Sequence, residues 1–252
     1  MLKILLSGCN GKMGKSIINV AAGMDDLEIV CGYDITANET GNFPVYDNLE
    51  NCKEDIDVII DFSHPNALPP LLKFALDKKL PIVIATTGFS EQTVEDIKKA
   101  AESIPVFYSG NMSLGINLLI ELVKKAENVL GSDFDIEIVE KHHNQKIDAP
   151  SGTALMIADA ISEEIDTPVQ YEYDRHSRRI KRPKNEIGIH SIRGGTIVGE
   201  HDVIFAGCDE IITVSHTALS KNIFAVGSLN AARFLFGKSA GIYNMGDLVS
   251  SK

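Results

Sequence analysis

Several features that would mark a membrane or exported protein are absent from the sequence. No apolar run reaches the roughly 18 residues that a membrane-spanning helix needs. Residues 1–6 lack the apolar region of a signal peptide and are instead typical of a β-strand. Cys9, Cys31, Cys52 and Cys208 show no spacing typical of a metal site. We therefore expect a cytoplasmic protein with no membrane partner and no metal.

Positive charge is also in short supply. The 24 lysines and arginines are outnumbered by 35 aspartates and glutamates, so the formal net charge is −11. A general nucleic-acid-binding protein is disfavoured because phosphate contacts need an excess of basic side chains. We interpret the one basic cluster, residues 175–184, as a solvated loop that could screen the entrance for an anionic substrate. An anionic ligand must then be held by local positive groups.

The first part of the chain alternates between strand and helix patterns. Nearly continuous apolar strands separated by helices indicate a parallel sheet covered on both faces, which predicts an α/β protein with a Rossmann-type doubly wound sheet. The predicted strands are residues 3–7, 27–32, 57–61, 81–85 and 105–108, and the predicted helices are residues 15–22, 69–77 and 90–102.

The pattern changes after residue 113. Strands that follow one another without helices between them indicate a second α+β domain built on a mixed sheet. We predict a dinucleotide-binding domain from residues 1–113 plus 219–252, and a substrate-binding domain from residues 114–218. The later helices are predicted at 114–130, 153–164 and 222–236, and the strands at 134–140, 186–192, 196–205 and 210–215.

A glycine-rich loop, residues 8–14, lies between the first strand and the first helix. Its spacing, G-x-x-G-x-x-G, varies the usual dinucleotide fingerprint, and the helix start offers amide groups to a pyrophosphate. Asp34 lies 20 residues beyond Gly14, where a carboxylate would hold the adenosine ribose (34 − 14 = 20). Because Asp34 would repel a 2′-phosphate and Ile35 follows it instead of arginine, NADH is favoured over NADPH. A plain tight turn with a surface aspartate is the simpler alternative.

Small and polar residues follow the later strands. Ligands of open α/β sheets bind at the carboxyl ends of the strands, so these residues are candidates for the same crevice. They are Phe62, Ser63, Ala85, Thr86, Thr87, Gly88, Ser109, Gly110, Asn111 and Met112.

Residues 140–153 are the most informative stretch for chemistry. His142 and His143 are adjacent, and Lys146 follows closely, so three proton donors could face one ligand. Ser151 can cap the next helix, whose first amide groups would bind a carboxylate. The pattern predicts a site where a small dianion is protonated as it is reduced. The alternative leaves both histidines on the surface and Ser151 as a cap alone.

The chain resembles the 4-hydroxy-tetrahydrodipicolinate reductase (dihydrodipicolinate reductase) family along essentially its whole length. The most specific motif is the run from residue 140 to residue 155. The motifs that carry the resemblance are GCNGKMG at 8–14, DFS at 61–63, ATTGF at 85–89, NMS at 111–113, EKHHNQKIDAPSGTAL at 140–155 and IVGEH at 197–201.

The resemblance implies NAD(P)H-dependent reduction of 4-hydroxy-tetrahydrodipicolinate, a small dicarboxylate, in lysine and diaminopimelate biosynthesis. It also implies a homotetramer assembled through residues 114–218. His142 would be the proton donor with Lys146 assisting, and His143, Gly152 and Thr153 would bind substrate carboxylate. The implied cofactor residues are Gly8, Cys9, Asn10, Gly11, Lys12, Met13, Asp34, Ala85, Thr86, Thr87, Ser109, Gly110, Asn111 and Met112.

The sequence departs from the family at three positions. Ala85 replaces a glycine, Asp34 lacks a following arginine, and Lys221 stands where the family has arginine, so a bidentate contact would be lost there. Two other functions remain as alternatives. One is another Rossmann dehydrogenase of an amino or keto acid, and the other is a regulator that senses NADH.

Overall fold

The computed structural model describes residues 1–37 and 42–251. The chain forms two compact units, one of Met1–Leu114 with Lys221–Lys252 and one of Gly115–Ser220. Within the described residues, every helix is too short or too polar to cross a membrane.

The first unit is built on a seven-stranded sheet in which all paired strands are parallel. Its order is β12-β6-β5-β4-β1-β2-β3. Because β1 is flanked by β2 on one side and β4 on the other, the chain reverses its direction of travel across the sheet beside β1. The strands are β1 (Leu2–Ser7), β2 (Leu27–Tyr33), β3 (Val45–Tyr46), β4 (Val58–Asp61), β5 (Ile82–Ile84), β6 (Pro105–Tyr108) and β12 (Gly241–Tyr243).

Both faces of this sheet are covered. Ile4 and Leu6 of β1 belong to one apolar core, and Leu5 between them belongs to the other. Successive strand residues point to opposite faces, so a continuous apolar strand serves two cores at once. The predicted doubly wound sheet is confirmed. Its helices are α1 (Lys12–Ala21), α2 (Leu68–Lys78), α3 (Glu91–Ala101), α6 (Asn222–Leu235) and α7 (Met245–Ser250).

The second unit contains a five-stranded sheet of order β11-β10-β7-β9-β8. The β10 strand pairs antiparallel with β7 and β11, whereas β9 pairs parallel with β7 and β8, so the predicted mixed sheet is confirmed. Its elements are α4 (Leu114–Leu130), β7 (Asp135–His142), α5 (Gly152–Ser162), β8 (Gln170–Glu172), β9 (Glu186–Arg193), β10 (Gly199–Ala206) and β11 (Ile211–Ala218).

Among the strands and α-helices of the described residues, the sequence analysis did not predict β3, β8, β12 and α7, and it also did not predict three short 3-10 helices. The three strands have two or three residues each, too short to show a period of two. The helix α7 begins with a capping box in which Asn244 and Asp247 bind each other's backbone amide groups. Ser90 and Ser151 cap α3 and α5 as predicted.

The interpretation of residues 175–184 as a solvated loop is wrong for Arg175, Arg178 and Arg182, whereas Arg179, Lys181 and Lys184 are exposed. Arg175 forms a bidentate ion pair with Glu137 of β7 and also binds Glu186 of β9. Arg182 binds Glu137 as well, and the guanidinium of Arg178 contacts Glu186. These three arginines are therefore neutralised by carboxylates of the mixed sheet, which a count of basic residues along the chain does not reveal.

Candidate functional site

The glycine loop turns immediately after β1, and two of its glycines are required by contacts. Gly8 has φ +77°, and a Cβ there would lie 2.4 Å from the carbonyl oxygen of Phe62. A Cβ on Gly14 would lie 2.3 Å from the carbonyl oxygen of Gly8. The loop backbone thus folds onto itself and onto the end of β4, leaving its outer side open for a ligand.

Asp34 stands next to this loop. Its carboxylate accepts a hydrogen bond from the backbone amide of Asn10 at 3.0 Å, and the Asn10 side chain donates to the Thr36 carbonyl at 2.8 Å. The end of β2 is thereby tied to the glycine loop. This is the geometry expected of a carboxylate that binds ribose hydroxyls beside a pyrophosphate cradle.

A cavity of about 400 Å³ opens at the carboxyl ends of β1, β2 and β4. It lies beside β1, where the strand order reverses, and ligands of doubly wound sheets bind at such a point. Four of the predicted cofactor residues line it: Gly8, Asn10, Gly11 and Asp34. Phe62 and Ser63, which were predicted for the same crevice, also line it. The lining further includes residues that were not assigned to the cofactor: Ser7, Tyr33, Ile35, Thr36, His64 and Ala67.

The other predicted cofactor residues differ in what they offer to a ligand. Cys9 and Met112 are buried in the apolar core, so they can contribute backbone atoms only. Burial raises the pKa of the Cys9 thiol to about 11. Lys12, Thr87 and Gly110 are exposed, and Met13, Ser109 and Asn111 are half-buried. Ala85 and Thr86 are buried at the end of β5, next to β4 in the sheet.

A buried carboxyl group supports the floor of this crevice. Asp61 ends β4, is fully buried, and accepts a 2.5 Å hydrogen bond from the Ser63 hydroxyl. The Ser63 amide donates in turn to the Thr86 hydroxyl at 3.0 Å. Burial raises the pKa of Asp61. This network joins the ends of β4 and β5, and the sequence analysis did not single out Asp61 as functional.

In the second unit, His142 ends β7 beside a buried acid. Its Nδ1 atom lies 2.6 Å from a carboxylate oxygen of Glu140. Since an ionised carboxylate only accepts hydrogen bonds, Nδ1 carries a proton, which leaves Nε2 as the atom that can exchange one. A carboxylate that fixes the orientation and tautomer of a histidine is a recurring device in general acid–base catalysis.

Further hydrogen bonds hold Glu140 in place. Arg193 donates to both carboxylate oxygens at 2.7 Å, and the Ser151 amide donates at 3.1 Å. Burial disfavours the charged carboxylate, but the hydrogen bonds from Arg193, Ser191 and His142 outweigh it and lower the pKa of Glu140 to about 2. The parallel pairing of β7 with β9 brings Arg193 opposite His142. Glu140 is therefore a fixed anion at neutral pH.

His201 packs against His142 from the neighbouring strand. The two rings are perpendicular with centroids 5.3 Å apart, and Nε2 of His201 lies 3.2 Å from the Ser151 hydroxyl. Burial and the nearby His142 lower the pKa of His201 to about 4. His201 is therefore neutral at physiological pH and has no acidic proton to give there.

Two of the remaining predicted site residues, Lys146 and Gly152, contact the exposed carboxylate of Asp148. The Nζ atom of Lys146 lies 2.8 Å from Asp148. Asp148 also accepts from the backbone amide of Gly152 at the start of α5, and Lys146 is the larger cause of its lowered pKa. Thr153 is half-buried in the first turn of α5, and His143 is half-buried beside the loop. The carboxylate of Asp148 thus uses two groups that were predicted for a substrate carboxylate.

Comparison with known proteins gives a consistent picture. The family description "Dihydrodipicolinate reductase, N-terminus" matches residues 2–112, and "Dihydrodipicolinate reductase, C-terminus" matches residues 115–249. A 4-hydroxy-tetrahydrodipicolinate reductase of Caldanaerobacter subterraneus subsp. tengcongensis is 54% identical over 99% of this chain and 98% of its own length. The Clostridium tetani protein of the same name is 48% identical over 100% of this chain and 98% of its own.

The fold has a solved counterpart. The dipicolinate-bound dihydrodipicolinate reductase from Paenisporosarcina sp. TG-14 superposes with a TM-score of 0.81 at 23% identity, covering 97% of each chain. At that identity the likeness concerns the fold, which agrees with the parallel and mixed sheets described above.

Proposed function

Because the chain belongs to the dihydrodipicolinate reductase family, we infer that it reduces 4-hydroxy-tetrahydrodipicolinate to tetrahydrodipicolinate with a reduced nicotinamide dinucleotide, and that the 4-hydroxyl group leaves as water. The observation that carries the inference is full-length similarity to reductases of this name, with 54% identity in one relative. The reaction serves lysine and diaminopimelate biosynthesis. Membership of this family also disfavours a different Rossmann dehydrogenase or a regulator that senses NADH.

We propose that His142 is the proton donor. The Glu140 carboxylate at 2.6 Å holds Nδ1–H, so Nε2 is the atom that would pass a proton to the ring as it is reduced. The fixed negative charge of Glu140 stabilises the imidazolium form that precedes the transfer. The low pKa of the adjacent His201 leaves His142 as the better donor of the two.

Lys146, His143, Gly152 and Thr153 would bind a substrate carboxylate. The contact of Asp148 with Lys146 at 2.8 Å supports this, because Lys146 and the backbone amide of Gly152 already bind a carboxylate there. The start of α5 adds the positive end of a helix dipole. A substrate carboxylate would take the place of Asp148 there, and Lys146 would favour negative charge that develops on the substrate.

The first unit would hold the dinucleotide. When bound, the cofactor supplies the hydride. The glycine loop fits a pyrophosphate because it leads into α1, whose N-cap residue, Gly11, offers no side-chain hydrogen bond to the first amide groups of the helix. Cys9, Asn10, Gly11, Lys12 and Met13 would contribute amide groups and, from Lys12, positive charge. Asp34 would bind ribose, and Ala85, Thr86, Thr87, Ser109, Gly110, Asn111 and Met112 would line the rest of the crevice.

We expect Asp34 to set the preference for NADH over NADPH. Asp34→Ala should raise KM for NADH roughly tenfold or more, because charge-assisted hydrogen bonds contribute about 1.5–3 kcal/mol. KM for NADPH should change less, since the variant also loses a repulsion. Initial rates with each cofactor test this, with Asp25→Ala, an exposed neighbour, as the control. An unaltered NADH/NADPH ratio in Asp34→Ala would exclude the ribose contact.

We also propose a cytoplasmic homotetramer. The chemistry needs a pool of reduced nicotinamide cofactor, which fits a cytoplasmic enzyme. The edge strand β11 exposes Ile211 and Ile212, by 68% and 38%, along a row of unpaired backbone groups. Exposed apolar edges of this kind favour association with another chain. Sedimentation equilibrium of the purified chain gives the number of subunits directly.

The activity itself is tested with substrate generated freshly from aspartate semialdehyde and pyruvate. Loss of the near-ultraviolet absorbance of NADH or NADPH should depend on both the protein and the condensation product. Cofactor consumption that is equal with and without the condensation product would remove this substrate from the proposal.

A further inference from the structure

Two cysteines that are 21 residues apart in sequence, Cys31 and Cys52, are in contact beside β2. Cys31 belongs to one apolar core of the parallel sheet, whereas Cys9 of the glycine loop belongs to the core on the other face. Cys31 lies in β2, and Cys52 directly follows a short 3-10 helix, Leu49–Asn51. Their Sγ atoms are 3.6 Å apart. Cys31 is fully buried, whereas Cys52 is half-buried. Both thiols are free.

Glu54 completes the cluster. One of its carboxylate oxygens, Oε2, lies 3.4 Å from the Cys52 Sγ atom, and the other, Oε1, accepts a 3.0 Å hydrogen bond from the Tyr46 hydroxyl. Tyr46 thereby fixes the carboxylate in place. One ligand atom from each of Cys31, Cys52 and Glu54 lies within 4.8 Å of the other two. Within residues 1–37 and 42–251, this is the one group of three such side chains.

We propose that Cys31, Cys52 and Glu54 bind one thiophilic divalent cation of the zinc type. With Zn–S bonds of about 2.3 Å and Zn–O bonds of about 2.0–2.2 Å, tetrahedral geometry separates two sulfurs by about 3.8 Å and a sulfur from an oxygen by about 3.6 Å. The observed separations of 3.6 Å and 3.4 Å match these edges closely. The third pair, Cys31 and Glu54, has ligand atoms within 4.8 Å of each other, so binding needs the Glu54 carboxylate and the Cys31 thiol to approach each other.

The surroundings suit a cation that enters from solvent. Cys52 and Glu54 line a cavity of about 520 Å³, which leaves the fourth coordination position open to water. Two thiolates and one carboxylate give the set a charge that a divalent cation largely neutralises. The ion would cross-link β2 to the segment that follows residue 51.

The experiment uses the full-length chain, reduced and freed of metal with a chelator. Titration with Cd²⁺ or Co²⁺ should give one ion per chain, with a thiolate-to-metal charge-transfer band in the ultraviolet. Zn²⁺ should displace either probe and raise Tm, as any ligand that binds only the folded state does. No band, or no saturation at one ion per chain, overturns the proposal.

Variants locate the ion. Cys52→Ser and Cys31→Ser should abolish the charge-transfer band, and Glu54→Gln should weaken binding roughly tenfold or more, since even groups behind the ligands contribute that much. Cys208→Ser, at an exposed thiol, is the matched control and should bind normally. If Cys31→Ser does not fold, the Cys52→Ser and Glu54→Gln variants still test the site, because Cys52 and Glu54 are only half-buried. A band that survives Cys52→Ser contradicts the site, and so does a Cys31–Cys52 disulfide that re-forms after reduction in place of metal uptake.

Discussion

Replacing His142 by glutamine is expected to lower kcat by roughly 10²–10⁴-fold, the usual range for loss of a general acid. Glutamine is of similar size and can still donate a hydrogen bond to Glu140, which is 2.6 Å from His142 in the native chain. It has no proton to transfer at neutral pH. The loss should therefore appear in kcat, whereas KM for the reduced cofactor should stay near its wild-type value. Steady-state kinetics with each substrate varied in turn separates the two parameters.

His176→Gln is the matched control for this variant. His176 is exposed in the segment between β8 and β9, so the same substitution there should leave kcat unchanged. Turnover of His142→Gln at the wild-type rate would remove His142 from the proposed mechanism. A rise in KM for the substrate with unchanged kcat would instead assign it a binding role.

Removing the carboxylate of Glu140 should have the largest effect on stability. Glu140→Ala leaves the guanidinium of Arg193, which is only 19% exposed, without its bidentate partner. A broken ion pair of this kind costs about 3 kcal/mol in the free energy of unfolding, at the lower end of the buried range because Arg193 keeps some contact with water. Urea denaturation measures the change. Glu200→Ala is the control, since Glu200 and its partner Lys141 are each 30% exposed and such pairs contribute less than about 1 kcal/mol.

Glu140→Gln separates orientation from stability. The amide has nearly the same shape as the carboxylate but cannot balance the charge of Arg193 and of protonated His142, so kcat should fall roughly 10–100-fold with little change in KM. The dependence of the free energy of unfolding on pH in the acid range should change too. The folded pKa of about 2 lies below the ordinary value of 4.5, so the wild-type protein loses this contribution as the pH falls from 4.5 towards 2. A Glu140→Gln variant with wild-type kcat would show that His142 needs no carboxylate.

Local sequence patterns predict much of the fold. The five apolar runs before residue 108 correspond to β1, β2, β4, β5 and β6, because strands buried on both faces must be apolar throughout. In the second half, strands that follow one another without helices between them predicted the mixed sheet. The short β3, β8 and β12 could not be predicted, since they exist through pairing with a neighbour and not through their own sequence.

The candidate site divides in the same way. Residue type and spacing were enough to single out Gly8, Asp34 and the capping Ser151. The structure places these residues at the ends of strands and helices. The sequence analysis gave Glu140 no role of its own, because that role depends on Arg193, which is 53 residues away. Only the register of the β-sheet brings Arg193 to Glu140.

Contacts between distant residues also account for two features that the sequence analysis did not reveal. Residues 175–184 looked solvated until the carboxylates of β7 and β9 were placed beside them. The pair of Cys31 and Cys52, 21 residues apart, has no spacing that suggests a metal site, yet the fold brings the two thiols into contact. Both are properties of the tertiary structure.

Transfer of deuterium from labelled cofactor to product tests the central claim most directly. Reduced nicotinamide cofactor carrying deuterium at C4 of the ring, in each stereochemical form, is incubated with the protein and fresh 4-hydroxy-tetrahydrodipicolinate, and the product is analysed by mass spectrometry. One labelled form should give tetrahydrodipicolinate with a single deuterium. Cofactor oxidation that leaves the product unlabelled with both forms would contradict direct hydride transfer to this substrate.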